Sequence, residues 1–299
     1  MLDLLIIILN YNTRDLLRNC LHSLRGQRGL QVAVCVVDNA SPDGSADMVA
    51  TEFLEVTLVR NPLNNGFSAG NNLGLRTFGF PSKAQSRYVM LLNPDTIVPP
   101  DALAQMIAFA EQYPDVGIVG PKLLLEDGTL DKACRRSFPT PEVALYRLLG
   151  LSKLFPKSKR FGRYNMTYLD IDQSAEVDAV VGACMLVRAD AIAKVGLLDE
   201  QFFMYGEDLD WCLRIKQAGY RVMYYPTVMV HHIKRAASRA SQKAQVEFQR
   251  AMWLFYKKHY QSHTALPVDL LVKLGLVLRG RGALLREMLP RRNEHVKPL

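Results

Sequence analysis

The sequence predicts an α/β fold, a mostly parallel, doubly wound sheet with helices on both faces. Three observations carry that expectation. The chain opens with LLIIIL (4–9), a continuous β-prone apolar run of the kind a parallel strand shows when it is buried on both faces. Strand-like and helix-like patterns then alternate with short loops through the first 120 residues, as in successive βα units. The strong strand patterns end in polar turn chemistry: Asn10-Tyr11-Asn12, Asp38-Asn39 and Asn93-Pro94-Asp95. One edge of the sheet therefore collects the polar groups, and in open sheets of this class that edge binds ligands.

In order, the first strand leads to a helical pattern over 15–24 and a second strand over 32–37. The next loop, DNASPDGS (38–45), is rich in turn formers. A helix over 46–54, a strand over 56–59, the loop NPLNNG (61–66) and a helix over 69–78 follow, and then a strand over 88–92 that delivers Asp95. A helix is expected over 101–113, stopping at Pro114, and a strand over 116–119. Beyond this the rhythm changes. LLLEDGTLDKACRRSFPT (123–140) reads as a hairpin around Asp127-Gly128 plus a loop, and 141–168 as a basic amphipathic insertion. Residues 176–187 are strand-like, 189–195 helical, and GEDLDWCLRIKQAGY (206–220) a helix with Gly219 as its C-cap. A strand over 222–230 ends in His231-His232, and two basic amphipathic helices are expected over 244–260 and 267–289.

An apolar share of 49% with 22% charged residues makes this a globular chain. The net charge of +8 is unevenly placed: from Lys234 to Leu299 there are 14 Lys/Arg against 4 Asp/Glu, which leaves −2 for the preceding 233 residues. A near-neutral body argues against nucleic-acid binding, and a basic tail suits an anionic surface. The five cysteines show no CxxC pair and read as reduced core thiols. The N-terminus carries no signal-peptide pattern, and no window approaches the ~18 apolar residues of a membrane span. The expected location is cytoplasmic, peripheral on the inner face of the cell membrane.

The strand-end residues Asp38, Asp95 and His232 are candidates for chemistry, since hard divalent cations take carboxylate oxygens and imidazole adds a further ligand. The same residues suit blander roles. Asn93-Pro94-Asp95 could be a turn that caps the next helix, and of His231 and His232 only one can face a site. Glu207, Asp208 and Asp210 complement a helix macrodipole without any catalytic purpose, and Asp210 with Arg214 forms an ordinary i,i+4 pair. The loop 61–72 could offer backbone N–H groups to phosphate, although it matches neither a Gly-x-Gly-x-x-Gly nor a Walker pattern.

The combination is more specific than its parts. IIILNYN, VVDNASPDGS, NNGFSAGNNLGL, LLNPDT, VGACMLVRADAIAKVGLLDEQFFMYGEDLDWCLR and a late strand ending in HH occur in that order. Together they resemble glycosyltransferase family 2, inverting nucleotide-sugar-dependent transferases with a GT-A-type fold, and within it the rhamnosyltransferase branch. The resemblance covers about residues 4–260. It implies a catalytic unit over 1–242, with a nucleotide-binding half (1–120) and an acceptor half (121–242), followed by a basic helical tail (243–299).

The resemblance also implies roles. Asp38 matches the acid that binds the donor's base, with Asn10, Tyr11 and Asn12 lining the same pocket. Asn65, Gly66 and Asn71 lie beside the ribose and diphosphate. Asp95 matches the last residue of the family's Asp-x-Asp metal motif, and His232 the late metal-binding histidine, together holding Mg²⁺ or Mn²⁺. Asp208 matches the general base and Glu207 its acceptor-side neighbour. Asn93 replaces the motif's first acid and retains only hydrogen-bonding capacity. The implied donor is a dTDP- or UDP-sugar, dTDP-rhamnose above all, and the acceptor a glycan or polyprenyl-diphosphate-linked glycan. A pyrophosphorylase would need a Gly-rich, basic loop after the first strand, which Asn10-Tyr11-Asn12-Thr13 is not. A non-catalytic sugar-nucleotide-binding protein is the other alternative, supported by Asn93 and opposed by the retained acids.

Overall fold

The computed structural model describes residues 1–233 and 242–280. Its elements run β1 (Leu2–Asn10), α1 (Arg14–Leu24), β2 (Val32–Asn39), α2 (Ser45–Glu52), β3 (Thr57–Asn61), α3 (Gly66–Thr77), β4 (Ser86–Leu92), β5 (Thr96–Ile97), α4 (Ala102–Gln112) and β6 (Val116–Leu124). They continue with α5 (Pro141–Leu148), α6 (Leu151–Leu154), β7 (Ala175–Val177), β8 (Cys184–Arg188), α7 (Ala189–Val195), α8 (Glu207–Gln217), β9 (Arg221–His232), α9 (Gln242–His259) and α10 (Leu266–Arg279).

One sheet joins these strands in the order β3-β2-β1-β4-β8-β6-β9-β5, with β7 also on β9. The strands β3, β2, β1 and β4 are parallel, as the apolar runs require. Leu4 to Ile8 are all fully buried. Successive side chains point to opposite faces, so both faces of β1 are covered. The second half is mixed, because β8 runs antiparallel to both β4 and β6, whereas β6 and β9 are parallel.

Several expected elements differ in extent, among them the strand expected over 116–119, which runs on to Leu124 as β6. The strand-like stretch 176–187 divides into β7 and β8, because Arg136 bridges Ala179 between them through two backbone hydrogen bonds of 2.9 and 3.0 Å. The helix expected from residue 69 begins at Gly66, where the chain takes φ +89°. Only glycine fits there, since a Cβ would lie 2.4 Å from the Phe203 carbonyl oxygen. The hairpin turn at Asp127-Gly128 is present but short, closed by Leu124 against Leu130. Of the last expected helix, residues 281–289 lie outside the described residues.

Two features position the site. The two-residue strand β5 pairs Thr96 with His232 and Ile97 with His231, and Ile233 N–H donates to the Asp95 carbonyl at 2.8 Å. That pairing brings the ends of β4 and β9 together. The helix α9 packs into the main core through Ala251 and Phe255. It is tied to α8 by Asp210, which is fully buried and meets both His259 Nε2 and Lys258 Nζ at 2.7 Å. Burial alone would raise the Asp210 carboxyl, but the His259 bond, Arg214 and Lys258 outweigh it and hold it down to about 2. The acid of the helix-surface pair expected with Arg214 is thus also an anchor for α9.

Candidate active site

The polar ends of β1, β2, β4 and β9 and the first turn of α8 line one cleft of about 950 Å³. A smaller hollow of about 490 Å³ lies in the insertion between Glu142 and Arg163, and no group from the sheet edge reaches it. The larger cleft therefore holds the candidate chemistry.

On one side stand Asp95 and His232. His231 is exposed, and His232 is buried and faces inward. Its Nε2 lies 3.2 Å from Asp95 Oδ1 and 3.4 Å from Asn93 Nδ2, and its Nδ1 lies 3.2 Å from Asp131 Oδ2. A carboxylate only accepts hydrogen bonds, so Nδ1 is the donor to Asp131 and the Nε2 edge is turned toward Asp95. Asp95 Oδ1 is buried without a hydrogen-bond partner, which is costly unless something pairs with it. A carboxylate oxygen and an imidazole nitrogen facing each other at this separation suit a divalent cation, because cis ligands at ~2.1 Å from an octahedral ion lie about 3 Å apart. A carboxylate behind the ligating imidazole is the usual support for such a site. Among the described residues no cluster of three or more His, Cys, Asp or Glu could hold a metal, so the protein would supply two ligands and the remainder would come from phosphate or water.

On the other side is the start of α8. Tyr205 and Gly206 are both left-handed, at φ +70° and +81°. For a tyrosine this conformation costs roughly 1–2 kcal/mol, and it turns the chain so that α8 begins at Glu207 in the cleft wall. Asp208 is held from three directions. Its Oδ2 accepts from Arg136 Nη2 at 2.6 Å and Gly182 N–H at 3.2 Å, and its Oδ1 accepts from Leu209 N–H at 2.8 Å. Arg136 also donates to the Val180 carbonyl at 3.0 Å, so the guanidinium is fixed and Asp208 is aimed. Glu207 is the reverse: buried, with Oε2 unpartnered. Burial first, and the neighbouring Asp208 charge second, push its carboxyl up to about 8. Two adjacent carboxyls thus sit in contrasting environments, as in sites that divide proton-transfer roles.

The raised Glu207 carboxyl has a stability consequence. The folded state binds this proton more tightly than the unfolded chain, so its contribution is complete below about pH 4.5 and is lost as pH rises through about 8. The Glu207→Gln variant keeps the neutral form, and is expected to melt a few degrees above the wild type at pH about 9 and level with it at pH about 4.5. Scanning calorimetry at the two pH values checks this, and equal melting at both would refute the buried neutral state.

Of the residues singled out from the sequence, Tyr11, Gly66, Asn93, Asp95, Glu207, Asp208 and His232 line the cleft. Asn10, Asn12, Asp38, Asn65 and Asn71 do not. Asn10 and Asp38 are paired across β1 and β2 and buried behind the wall. Asn10 Nδ2 donates to Asp38 Oδ1 at 2.8 Å, and Ser41 N–H donates to Asp38 Oδ2 at 2.9 Å. Asp38 thereby ties together the ends of β1 and β2, next to the lining residues Tyr11 and Asn39. Asn71 is buried within α3, donating to the Phe67 carbonyl at 2.9 Å, and Asn65 is exposed at the N-cap of α3. Sequence reasoning missed Asp131, Arg136 and Asn39. The one signal for Arg136 was the adjacent pair Arg135-Arg136 within the otherwise small and apolar ACRRSF.

A family model described as "Glycosyltransferase like family 2" matches residues 3–254. The chain belongs to that family and is a glycosyltransferase. Among curated proteins it is similar to the N-acetylglucosaminyl-diphospho-decaprenol L-rhamnosyltransferase of Mycobacterium tuberculosis. The two are 24% identical over 280 residues, which cover 92% of this chain and 90% of the relative. It is also similar to the rhamnosyltransferase WbbL of Escherichia coli K12, 29% identical over 178 residues, 58% of this chain and 63% of that one. Among solved structures, the mannosyltransferase PcManGT from Pyrobaculum calidifontis, in complex with GDP-Man and Mn²⁺, matches with a TM-score of 0.58 at 18% identity. The match covers 93% of this chain and 70% of that one, and it shows the shared GT-A-type fold. Within this glycosyltransferase, Asp95 after β4, the buried His232 at the end of β9 and the buried acids Glu207 and Asp208 at the start of α8 line the same cleft.

Proposed function

We propose that this glycosyltransferase is inverting, and that it moves L-rhamnose from dTDP-rhamnose to a hydroxyl of a lipid-linked glycan. The observation that carries this reading is one cleft lined by both the Asp95–His232 pair and the Arg136-aimed carboxylate Asp208. The rhamnosyltransferase names of the two relatives support the sugar, and the diphospho-decaprenol named for one of them supports the acceptor class.

In this scheme Asp208 takes the proton from the acceptor hydroxyl as it attacks the anomeric carbon, a role that typically contributes 10²–10⁴-fold. Arg136 fixes the carboxylate's direction, and Glu207, neutral while its proton is held, adds no second negative charge beside it. Asp95 and His232 would hold Mg²⁺ or Mn²⁺, with Asn93 beside them, and a metal there supplies neutralisation of charge on the departing diphosphate. Tyr11 and Asn12, with the Asn10–Asp38 pair behind them, form the base-binding side, and Asn65, Gly66 and Asn71 belong to the loop and helix start next to the ribose and diphosphate. The division into a donor half (1–120), an acceptor half (121–242) and a basic tail (243–299) belongs to the same proposal, as does contact of that tail with the inner membrane face. No helix of the described residues is long and apolar enough to cross a membrane.

Release of dTDP from dTDP-L-rhamnose, compared with UDP- and GDP-sugars and measured with and without Mn²⁺, tests the donor. Preference for dTDP-L-rhamnose supports the proposal, and preference for another donor, or no hydrolysis of any, defeats it. Asp131 carries a second test. Asp131→Asn keeps the shape but weakens the support behind His232, and is expected to lower Mn²⁺ affinity by about 10- to 100-fold. An electron-paramagnetic-resonance titration of free Mn²⁺ reads this directly, and unchanged affinity would remove Asp131 from the site.

The orphaned oxygen of Glu207 favours a second reading, in which Glu207 is the proton acceptor and Asp208 its electrostatic neighbour. A carboxyl near 8 is well matched to general-base work at neutral pH. The two assignments separate by variant: under the first, Glu207→Gln retains most of its turnover and Asp208→Asn does not, and under the second the order reverses.

A further inference from the structure

The insertion 141–168 is as basic as a membrane-binding segment, with six Lys/Arg against one acid, and α10 packs directly on its helix α5. Both elements expose apolar side chains to solvent. On α10, Leu266, Leu270, Leu274 and Leu278 recur at every fourth residue, which places them on one helix face. All four are exposed, Leu270 at 56% and Leu278 at 69%. On the insertion, Leu145, Leu149, Leu154 and Phe155 are exposed, Leu149 at 62% and Leu154 at 69%. Each element also sends one arginine to the cleft, Arg147 beside Leu145 and Leu149, and Arg279 beside Leu278. Both arginines are exposed, so they stand at the rim, whereas Glu207 and Asp208 are buried at the floor. Among the described residues neither makes an ion pair. Arg147 is instead laid on the Tyr164 ring, with its Cζ 4.0 Å from the ring centroid, which orients it and leaves its N–H groups available.

We propose that the α5–α6 insertion and α10 together form a bilayer-facing surface, and that Arg147 and Arg279 at its inner margin bind the diphosphate of a polyisoprenyl-linked acceptor. This rests on the lipid-linked acceptor proposed above. The physical case is the juxtaposition. Exposed leucines flanked by cations suit the headgroup boundary of an anionic bilayer. The two guanidiniums, without an ion pair among the described residues, line the same cleft as Glu207 and Asp208, where an acceptor anchored by its lipid would place its phosphates. Guanidinium forks match phosphate oxygens in a bidentate fashion. The lipid tail would stay in the bilayer, with the sugar end reaching Asp208.

Vesicle flotation of the full chain tests this without any donor, so a chain that binds as expected yet transfers no sugar refutes the proposed function and leaves the surface standing. Three vesicle types are compared: phosphatidylcholine alone, phosphatidylcholine with phosphatidylglycerol, and phosphatidylcholine with a few mole per cent undecaprenyl diphosphate. The wild type is expected to bind the third type roughly 10- to 30-fold tighter than the first, about fivefold for each arginine. Inorganic pyrophosphate should compete for that increment, which separates a diphosphate site from general headgroup attraction. Arg147→Ala with Arg279→Ala should lose the increment and still bind phosphatidylglycerol vesicles. Leu149→Glu with Leu154→Glu, and separately Leu270→Glu with Leu274→Glu, should weaken binding to all anionic vesicles by more than ~10-fold. Circular-dichroism melting of each variant confirms folding, since every substituted side chain is exposed. Three results would overturn the proposal. One is wild-type binding of the undecaprenyl diphosphate vesicles by the arginine variant. Another is wild-type binding of phosphatidylglycerol vesicles by the insertion variant. The third is a lipid-free dimer that Leu270→Glu with Leu274→Glu dissociates without changing vesicle binding, which would assign the leucine face to a second copy of the chain.

Discussion

Asp208→Asn is expected to reduce sugar transfer by about 10³-fold, within the range for removing a general base, while leaving dTDP binding close to wild type. The variant has a second effect that must be separated from the first. Arg136 and Asp208 form a nearly buried ion pair at 2.6 Å, and removing one partner of such a pair typically costs about 3–5 kcal/mol, because the other charge is left uncompensated. The single variant should therefore melt several degrees lower. Asp208→Asn combined with Arg136→Met removes both charges, and should recover much of the stability and none of the activity. Rates at saturating donor, melting temperature and dTDP affinity, taken together on the three proteins, distinguish a catalytic carboxylate from a structural one. Full activity in either variant would end the assignment, and recovery of activity along with stability would make Asp208 purely structural.

Asp95→Asn should weaken Mn²⁺ binding by at least 10- to 100-fold and lower metal-stimulated transfer by about 10²-fold. The substitution preserves size and hydrogen bonding and removes the charge that faces His232. Asn93 already brings a neutral amide to the same nitrogen, 3.4 Å away, so after the change no carboxylate of the Asn93–Asp95 turn remains to compensate a dication. Titration calorimetry with Mn²⁺ reports the affinity independently of turnover. Wild-type Mn²⁺ affinity in the variant, or undiminished transfer by the wild type in excess chelator, would rule out the site. The His232→Ala variant should follow the same pattern through loss of the imidazole.

Much of the fold was legible because its cause is local. The β-prone apolar run 4–9 read as a strand covered on both faces, and Leu4 to Ile8 are fully buried. The turn chemistry of Asn93-Pro94-Asp95 put a carboxylate at a strand end, where it is found in the cleft. The pairing rule that only one of two adjacent strand residues faces a given side left one histidine for the site, and His232 is the one buried there. Asp131 and Arg136 were not legible. Asp131 reads in sequence as part of a hairpin and reaches His232 across 101 positions. Arg136 meets Asp208 across 72. No period or local turn preference records such meetings, which depend on β6 and β9 pairing and on how the loop after β6 comes back to pair Arg136 with Ala179 beyond β7. Glu207 and Asp208, adjacent in sequence and equally suited to a helix N-terminus, acquired opposite environments only through what packed on them.

By itself the sequence determined the alternation of strands and helices, the sheet edge that gathers polar groups, and the acids and histidine offered there. Those properties follow from side-chain periodicity and turn preference over a few residues. The tertiary structure alone decided which of those groups meet, that Arg136 holds Asp208 while Glu207 is left buried with one oxygen unpartnered, and that the basic insertion lies against α10 beside the cleft. Each of these is a contact between distant segments, set by sheet pairing and close packing rather than by any local pattern.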